Sequence, residues 1–284
     1  MKKEYVLTFS CPDQKGIQAK TSSFLFSNNA FLTDVQSYSD KKTQSFFSRI
    51  VFSLDNLDGV ASSFMREFDI LAKELSMDWD INDLNKKIKT LIAVSKEGHC
   101  LNDLLYRAKY KDMPIDIVGV VSNHETFKEI VEFNGYKFHH LPIINNDKKS
   151  QEQEFHEIAV QAGTELIVLA RYMQILSQDF VSKWSTNCIN IHHSFLPSFK
   201  GSKPYHQAYD KGVKIIGATA HYVTEDLDEG PIIEQNVERV NHRDTITDMT
   251  RKGNDIESNV LARAVRWHAE KKILLNGSKT IVFS

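Results

Sequence analysis

The sequence predicts an α/β protein in two parts, because the pattern of apolar residues changes near residue 84. Residues 1–83 contain segments with strand and helix periodicity in the order strand, helix, strand, strand, helix, strand. From residue 88 onward, short apolar segments alternate with amphipathic helices, which is typical of a parallel sheet covered on both faces. Residues 84–87 are polar and form the predicted linker. We therefore expect one domain at 1–83 and a second at 88–284.

The order of elements in the first part predicts a ferredoxin-like βαββαβ fold. Its elements are predicted at residues 5–10, 17–25, 46–54, 60–75 and 77–81, with a further strand before a turn at 39–42. Apolar and polar residues alternate between 46 and 54, so that strand is expected to bury one face only.

The second part is predicted to contain a mostly parallel sheet, because its first four strands are nearly all apolar. These strands are predicted at 88–94, 115–121, 166–169 and 188–191. The downstream elements are predicted as a helix at 204–211, strands at 215–223 and 231–240, a helix at 245–271 and a last strand at 280–283.

The composition is that of an ordinary soluble protein, with 41% hydrophobic residues, 25% charged residues and a formal net charge of -2. Binding to nucleic acid or to a membrane surface would call for a basic face or tail, which this balance does not supply. The apolar runs are too short for a membrane span or a secretory signal. Three widely spaced cysteines without a CxxC pair suit a reducing compartment. We therefore expect a cytoplasmic protein without nucleic-acid or membrane partners.

Two polar residues at the end of a predicted strand are the strongest candidates for chemistry. Asn190 and His192 are two residues apart, so their side chains leave the strand on the same face. They stand at the carboxyl end of the strand, where open α/β sheets bind their ligands. Asp228, in a loop flanked by glycine and proline, can supply a carboxylate. These three groups suffice for attack on an activated acyl carbon, whereas a structural, hydrogen-bonded histidine is the alternative interpretation.

The histidines do not form a pattern expected of a metal site. His192 and His193 are adjacent, and adjacent side chains on a strand point to opposite faces. The sequence contains no CxxC, HxxxH or HExxH motif. It also lacks the glycine-rich phosphate-binding motifs GxGxxG and the P-loop. We therefore expect neither a metal ion nor a dinucleotide or triphosphate cofactor.

Two segments resemble the signature of the folate-dependent formyltransferase superfamily, whose catalytic domain is Rossmann-like. They are NIHHSFLP at residues 190–197 and AHYVTEDLDEGPII at residues 220–233. Within that superfamily the chain is more similar to the formyltetrahydrofolate deformylases than to the glycinamide ribonucleotide transformylases, which typically have proline where this chain has His193. The resemblance covers nearly the whole chain, and further matching segments are HCLNDLLY at 99–106, HHLP at 139–142, LARYMQIL at 169–176, KPYHQAY at 203–209 and RDT at 243–245.

The resemblance implies roles for residues in both segments. The family's catalytic triad corresponds to Asn190, His192 and Asp228. For His221, a buried structural role and a direct role both remain open, and for the apolar members of the pocket ordinary core packing is the alternative. The implied substrate-binding residues are Tyr172, Met173, Gln174, Ile175, Leu176, His221, Thr224, Glu225, Asp226 and Leu227.

The N-terminal unit resembles an ACT domain, a small regulatory module that binds amino acids. That resemblance implies an amino-acid effector at the first loop, where the helix N-terminus at Gly16 can meet a carboxylate and Asp13 can meet an ammonium. Many deformylase relatives have proline one residue before this glycine, where this chain has Lys15. A unit that only mediates dimerisation is the alternative. An exposed sheet edge further favours a homo-oligomer.

The activity implied by the resemblance is hydrolysis of 10-formyltetrahydrofolate to formate and tetrahydrofolate, without a further cofactor. Water positioned by Asp228 and His192 is expected to attack the formyl carbon, and Asn190 and the His192 imidazolium to hold the oxyanion. The formate can supply purine synthesis and balance one-carbon pools. The alternative is transfer of the formyl group to an amine such as glycinamide ribonucleotide. A second alternative, a folate- or amino-acid-binding regulator, is disfavoured by the intact triad.

Overall fold

A computed structural model describes residues 3–54, 57–145, 147–196 and 204–284 of the chain. It contains two compact units, of which the first comprises Met1–Lys87 with Glu270–Ser284 and the second Ile88–Ala269. Pro197 and Lys203, which belong to two of the motifs quoted above, lie outside the described residues. Among the described residues, no helix combines the length and the apolar character that crossing a bilayer requires.

The first unit has the predicted βαββαβ order. Its elements are β1 (Lys3–Pro12), α1 (Ile17–Ser27), β2 (Phe31–Asp40), β3 (Ser45–Leu54), α2 (Leu57–Glu74) and β4 (Asp78–Asp83). The strands form an antiparallel sheet in the order β2-β3-β1-β4, which confirms the ferredoxin-like topology. Aromatic rings fill the core, with Phe68 edge-on to Trp79 at 4.7 Å and Phe24 edge-on to Phe64 at 5.1 Å between ring centroids.

The second unit is built on a seven-stranded sheet in the order β11-β10-β9-β8-β5-β6-β7. Strands β5 to β9 pair in parallel, whereas β10 is antiparallel to both β9 and β11, so the prediction of a mostly parallel sheet is confirmed. The elements are β5 (Ile88–Val94), α3 (His99–Tyr110), β6 (Ile115–Ser122), α4 (Lys128–Phe133), β7 (Phe138–His140), α5 (Lys148–Gln161), β8 (Leu166–Leu169), α6 (Gln178–Trp184), β9 (Cys188–His192), α7 (Pro204–Asp210), β10 (Ile215–Tyr222), β11 (Ile232–Arg239) and α8 (Ile246–Ala269).

The strand order of the second unit determines where a site can form. The chain runs from β5 outward to β6 and β7 and then returns to the other side of β5 with β8 and β9. Connections on either side of such a reversal diverge, which leaves a crevice at the carboxyl ends of the strands. The end of β9, with Asn190 and His192, and the segment after β8, with residues 172–176, lie at this edge.

The C-terminal segment corrects two predictions. It forms a hairpin of β12 (Ile273–Asn276) and β13 (Lys279–Val282) and belongs to the first unit, so the predicted second domain at 88–284 extends too far. The prediction that β3 buries one face only is also wrong, because its second face is covered as well: Arg49 is 4% exposed. The Arg49 guanidinium donates to the Glu270 carbonyl oxygen at 3.0 Å and lies 3.1 Å from Asp34. Hydrogen bonding to a distant segment leaves no local periodicity, and the sequence pattern therefore misses it.

Candidate active site

The register between β9 and β10 brings Asn190 and His221 together, since these residues lie directly opposite each other. Asn190 Nδ2 is 3.3 Å from His221 Nε2, and His221 Nδ1 is 2.8 Å from the carbonyl oxygen of Tyr222. A carbonyl oxygen only accepts, so Nδ1 carries a proton and, in the neutral ring, Nε2 accepts from the Asn190 amide. The orientation of this amide is thereby set, and its second N–H hydrogen can donate to a ligand. His221 itself is 2% exposed.

Asp228 lies in the loop between β10 and β11 and contacts two histidines, His192 on β9 and His221 on β10. Its Oδ2 lies 3.2 Å from His192 Nδ1, and its Oδ1 lies 3.7 Å from His221 Nε2. The three residues predicted as a triad therefore meet at one place, with His221 between Asn190 and Asp228. The hydrogen bond from His192 is the main cause that holds the pKa of the Asp228 carboxyl well below its usual range, so it is ionised at neutral pH.

The loop that carries Asp228 depends on a close approach to β10. Asp228 has a φ of 59°, in the left-handed region that residues other than glycine rarely adopt. Two residues later, a Cβ on Gly230 would lie 1.7 Å from the carbonyl oxygen of Tyr222 and 3.2 Å from His221 Nδ1. Only glycine fits at this contact, which holds the loop against His221 and places the carboxylate beside both imidazoles.

The two adjacent histidines of the motif do not point apart as predicted. The rings of His192 and His193 are stacked, with centroids 4.9 Å apart and planes inclined by 17°. The expectation from strand alternation is wrong because β9 ends at His192 and His193 lies in the bend that follows. One edge of the His192 ring therefore contacts Asp228, and one face of the same ring contacts His193.

A network of charged groups lies behind His193. Arg171 Nη1 is 2.6 Å from His193 Nδ1, and Arg171 Nε is 3.3 Å from Oε2 of Glu257, whose side chain is fully buried in α8. Oε2 also lies 2.9 Å from His99 Nε2, while Tyr205 donates to Oε1 at 2.8 Å. Burial acts to raise the pKa of Glu257, but the His99 hydrogen bond and the Arg171 charge outweigh it and lower that pKa. Burial, the Arg171 charge and the His192 charge lower the pKa of His193 to about 4.

His99, Cys100 and Glu257 also bring three potential metal-ligand atoms within 4.8 Å of one another. Both Glu257 oxygens already accept hydrogen bonds, and the cationic Arg171 guanidinium is 3.3 Å away. Burial raises the pKa of the Cys100 thiol, which opposes the thiolate that a metal would need. This chemistry is that of a hydrogen-bonded charge network and does not fit a cation site.

The predicted folate-binding segments differ in exposure from residue to residue. Met173 and Ile175 are 58% and 63% exposed, and Leu227 in the second segment is 61% exposed. Tyr172, by contrast, is 6% exposed and packs edge-on against Phe155 in the core. Leu176 packs against the same cluster, Gln174 and Thr224 are half-buried, and Glu225 and Asp226 are exposed. Three large apolar side chains are thus presented to solvent on segments that flank the site.

Two hydroxyl residues missed by the sequence interpretation hold these segments in place. Ser95, just after β5, accepts from the Met173 backbone N–H at 2.9 Å and thereby ties the segment after β8 to the neighbouring strand. Thr219 Oγ1 donates to the Ser194 carbonyl and accepts from the Leu196 N–H, which fixes the bend after His193. Ser95 follows a strand and Thr219 lies within one, and neither belongs to a motif, so only the tertiary structure could have revealed them.

The predicted effector residues lie in the first unit. Gly16 has a φ of 89° and precedes the first residue of α1. Asp13 is exposed, and its carboxylate accepts a hydrogen bond from the Ser39 hydroxyl. The positive φ explains glycine at position 16 independently of any ligand.

Comparison with known proteins first gives the class. Residues 88–265 match the family model described as Formyl transferase, so the second unit, with its Asn, His and Asp site, is a formyl transferase domain. A crystal structure of glycinamide ribonucleotide transformylase 1 from Symbiobacterium toebii has a TM-score of 0.66 and 27% identity, covering 70% of this chain and 95% of that chain.

Relatives that match nearly the whole chain then identify the family within this class. Formyltetrahydrofolate deformylase of Corynebacterium sp. (strain P-1) is 45% identical, covering 98% of this chain and 97% of the relative. The crystal structure of formyltetrahydrofolate deformylase from Burkholderia mallei has a TM-score of 0.94 and 44% identity, covering 99% of this chain and 100% of that chain. The chain belongs to the formyltetrahydrofolate deformylase family.

Proposed function

We propose that this chain is a hydrolase that converts 10-formyltetrahydrofolate into formate and tetrahydrofolate. The observation that carries the proposal is the convergence of Asn190, His192 and Asp228 at the carboxyl edge of a formyl transferase domain. The names of relatives that match nearly the full length of the chain support hydrolysis over transfer.

His192 and Asp228 supply the proton transfer. The Asp228 carboxylate faces Nδ1 of His192, so Nδ1 carries a proton and Nε2 is the basic atom that meets substrate. Nε2 accepts a proton as the water oxygen bonds to the formyl carbon, and Asp228 stabilises the resulting imidazolium. The same proton then passes to N10 as the C–N10 bond breaks, which yields formate and tetrahydrofolate. With its lowered pKa, Asp228 is better suited to this electrostatic role than to deprotonating water itself.

Asn190 stabilises the negative charge that develops on the formyl oxygen. Its amide is oriented by His221, which is in turn held by the Tyr222 carbonyl. A donor fixed in this way before the reaction needs no reorganisation when the oxyanion forms. His221 is accordingly assigned as the residue that orients Asn190.

The folate binds along the segments 172–176 and 224–228. Met173, Ile175 and Leu227 are exposed apolar side chains that can cover the faces of a flat heterocycle, while backbone groups of the loop meet its polar edge. Gln174, Thr224, Glu225 and Asp226 provide polar groups on the same segments, and Tyr172 and Leu176 anchor the first segment in the core.

The test is to incubate the protein with 10-formyltetrahydrofolate, first without any amine and then with glycinamide ribonucleotide. Hydrolysis predicts stoichiometric release of formate and tetrahydrofolate in both reactions, and no formylated ribonucleotide in the second. Formate release that requires the amine, or formyl transfer to it, would reject hydrolysis in favour of transfer. Tight folate binding without turnover would instead identify a regulator.

We further propose that the first unit is an ACT-like regulatory module whose effector is an amino acid. Its ferredoxin-like topology supports this assignment, and Asp13 and Gly16 are the proposed contacts for the ammonium and the carboxylate. Formate release measured with each free amino acid tests the proposal. An effector should change turnover in the wild-type protein and lose its effect in Asp13→Asn, and the absence of any response to all of them would leave the unit with a structural role.

Self-association through the same unit is the third proposal. Strand β2 lies at the edge of its sheet and exposes Phe31, Val35 and Tyr38 by 66%, 44% and 45%. Unpaired backbone groups beside exposed apolar side chains favour pairing with a second copy. Sedimentation velocity should show a dimer or a larger oligomer that Val35→Lys dissociates. A monomeric wild-type protein would contradict the proposal.

The cellular setting follows as a proposal from the same activity. A reducing cytoplasm suits three cysteines that are all free and buried. There the released formate would supply purine synthesis and the reaction would balance one-carbon pools. Loss of the activity in cells should therefore raise 10-formyltetrahydrofolate and lower free formate.

A further inference from the structure

A buried carboxylate in α8 is the meeting point of distant parts of the second unit. Glu257 has a side chain with 0% exposure and is approached by the first residue of α3, by α7 and by the segment after β8. The contacts are His99 at 2.9 Å, Tyr205 at 2.8 Å and Arg171 at 3.3 Å. The proposed chemical steps use none of these four residues.

Arg171 extends this network to the catalytic edge. Its Nη1 is 2.6 Å from His193 Nδ1. A guanidinium only donates, so Nδ1 of His193 must accept, and the proton of the neutral ring resides on Nε2. The ring of His193 is therefore fixed in tautomer and in orientation by Arg171, whose Nε forms an ion pair with Glu257 at 3.3 Å.

The ring of His193 stacks on the ring of His192 with centroids 4.9 Å apart. Asp228 holds only one edge of His192, through a single contact of 3.2 Å to Nδ1. With a single edge contact the ring can still tilt about its Cβ–Cγ bond as that hydrogen bond bends, whereas a second contact on its face limits this motion. The stacked His193 supplies that second contact.

We propose that Glu257 and Arg171 act through His193 as positioning residues that hold the catalytic His192 ring in the orientation required for hydrolysis. The proposal rests on the deformylase activity proposed above. It assigns a function to His193, the residue after the catalytic histidine, and to a charge network that lies behind it.

Stability alone does not explain this network. A buried ion pair is often no more stable than apolar residues of the same volume. In addition, α8 contains a glycine, Gly253, at the point where Tyr205 lies against the helix. A Cβ at this position would lie 1.9 Å from the tyrosine hydroxyl oxygen. A glycine inside a helix costs about 1 kcal/mol relative to alanine. Both features keep groups in place around Glu257.

A double-mutant cycle of Arg171→Lys and His193→Ala tests the proposal. Lysine keeps the charge beside Glu257, but one ammonium cannot also replace the guanidinium contact to His193. We expect Arg171→Lys to lower kcat by about 10-fold and His193→Ala by about 100-fold, with KM changed less than about threefold, since transition-state stabilisation is lost. The double variant should lose no more than His193→Ala alone, because Arg171 acts through that ring.

The matched control is Arg107→Lys. Arg107 makes contacts of 2.7 Å to Asp103 and 3.0 Å to Asn259, so it also joins α3 to α8 but has no contact with His193. The kcat of Arg107→Lys should stay within about twofold of that of the wild type. His193→Phe, which retains a ring able to stack, should lose less activity than His193→Ala. Losses that multiply in the double variant, or wild-type kcat in His193→Ala, would overturn the proposal.

A spectroscopic measurement separates this proposal from the deformylase assignment. In the protein without substrate, the ¹⁵N chemical shifts of His193 should show a neutral ring protonated at Nε2. In Arg171→Lys, this preference of the proton for Nε2 over Nδ1 should be lost. This result does not depend on which reaction the protein catalyses. A His193 ring protonated at Nδ1 in the wild type would overturn the proposal even if formate is released as expected.

Discussion

The two units bury charged groups in different ways. In the first unit, Arg49 is buried within the sheet and meets Asp34 and the carbonyl of Glu270, a closed set of contacts among neighbouring segments. In the second unit, the buried charge of Glu257 belongs to a continuous series of contacts that runs through Arg171 and His193 to the ring of His192. The closed set connects only groups of the fold, whereas the series ends at His192, the proposed catalytic residue, and is proposed to set the orientation of its ring.

This difference predicts that substitutions in the two units have separable effects. Substitutions along the series should reduce turnover by more than they reduce stability. Substitutions in the closed set should reduce stability and leave turnover of the folded protein unchanged.

The largest effect is expected for Asp228→Asn. The substitution keeps the size of the side chain but removes the charge that stabilises the His192 imidazolium, so kcat should fall about 10³-fold. Folate affinity, measured by equilibrium binding, should change by less than about threefold. Retained turnover would show that the contact between Asp228 and His192 has no catalytic role.

Asn190→Ala should lower kcat by about 10²–10³-fold, because it removes the proposed oxyanion donor. The informative companion is His221→Phe, which leaves Asn190 in place but removes the Nε2 atom that orients its amide. We expect a smaller loss in His221→Phe than in Asn190→Ala when both are measured by formate release. Equal losses would mean that His221 contributes directly to catalysis.

Gly230→Ala should lower kcat by at least about 10-fold, because the new Cβ would lie 1.7 Å from a backbone oxygen and the loop carrying Asp228 must shift. Gly119→Ala is the matched control in the same sheet, where the nearest atom is 3.3 Å away in the His139 side chain. That variant should retain turnover within about twofold. Unchanged activity in Gly230→Ala would show that the placement of Asp228 tolerates a displaced loop.

The effect expected in the first unit is on stability. Arg49→Met removes the donor to the Glu270 carbonyl and should lower the free energy of unfolding by about 1–3 kcal/mol. Turnover of the folded protein should remain at the wild-type level. Urea unfolding and formate release on the same sample give both quantities, and a fall in kcat at full folding would remove the separation between the units.

Sequence periodicity predicted the fold well because strand and helix patterns are local. A strand end and a motif together predicted Asn190, His192 and Asp228 as site residues, and the structure brings these three close to one another. Periodicity missed the contacts that depend on tertiary register or on distant segments. Thr219 fixes the bend after β9 across a strand pair, and Glu257 lies on a long helix where an isolated acid resembles a surface residue. Such contacts have no signature within a short window of sequence.

The pH dependence of stability tests whether His193 is held neutral. Burial and Arg171 lower the pKa of His193 from 6.5 to about 4. Between these values the unfolded chain binds a proton at this residue and the folded protein does not, so acidification should lower the free energy of unfolding. His193→Gln removes the titrating group, and its stability relative to wild type should therefore improve by about 1–3 kcal/mol from pH 7 to pH 4.5.

Urea unfolding at a series of pH values measures this difference. His242→Gln changes an exposed histidine outside the series of contacts and is the matched control. Its stability relative to wild type should vary less with pH than that of His193→Gln. A difference between wild type and His193→Gln that is constant from pH 7 to pH 4.5 would mean that the folded protein does not hold this ring neutral. The series from Glu257 to His192 would then resemble the closed set around Arg49, a contribution to stability without control of the catalytic ring.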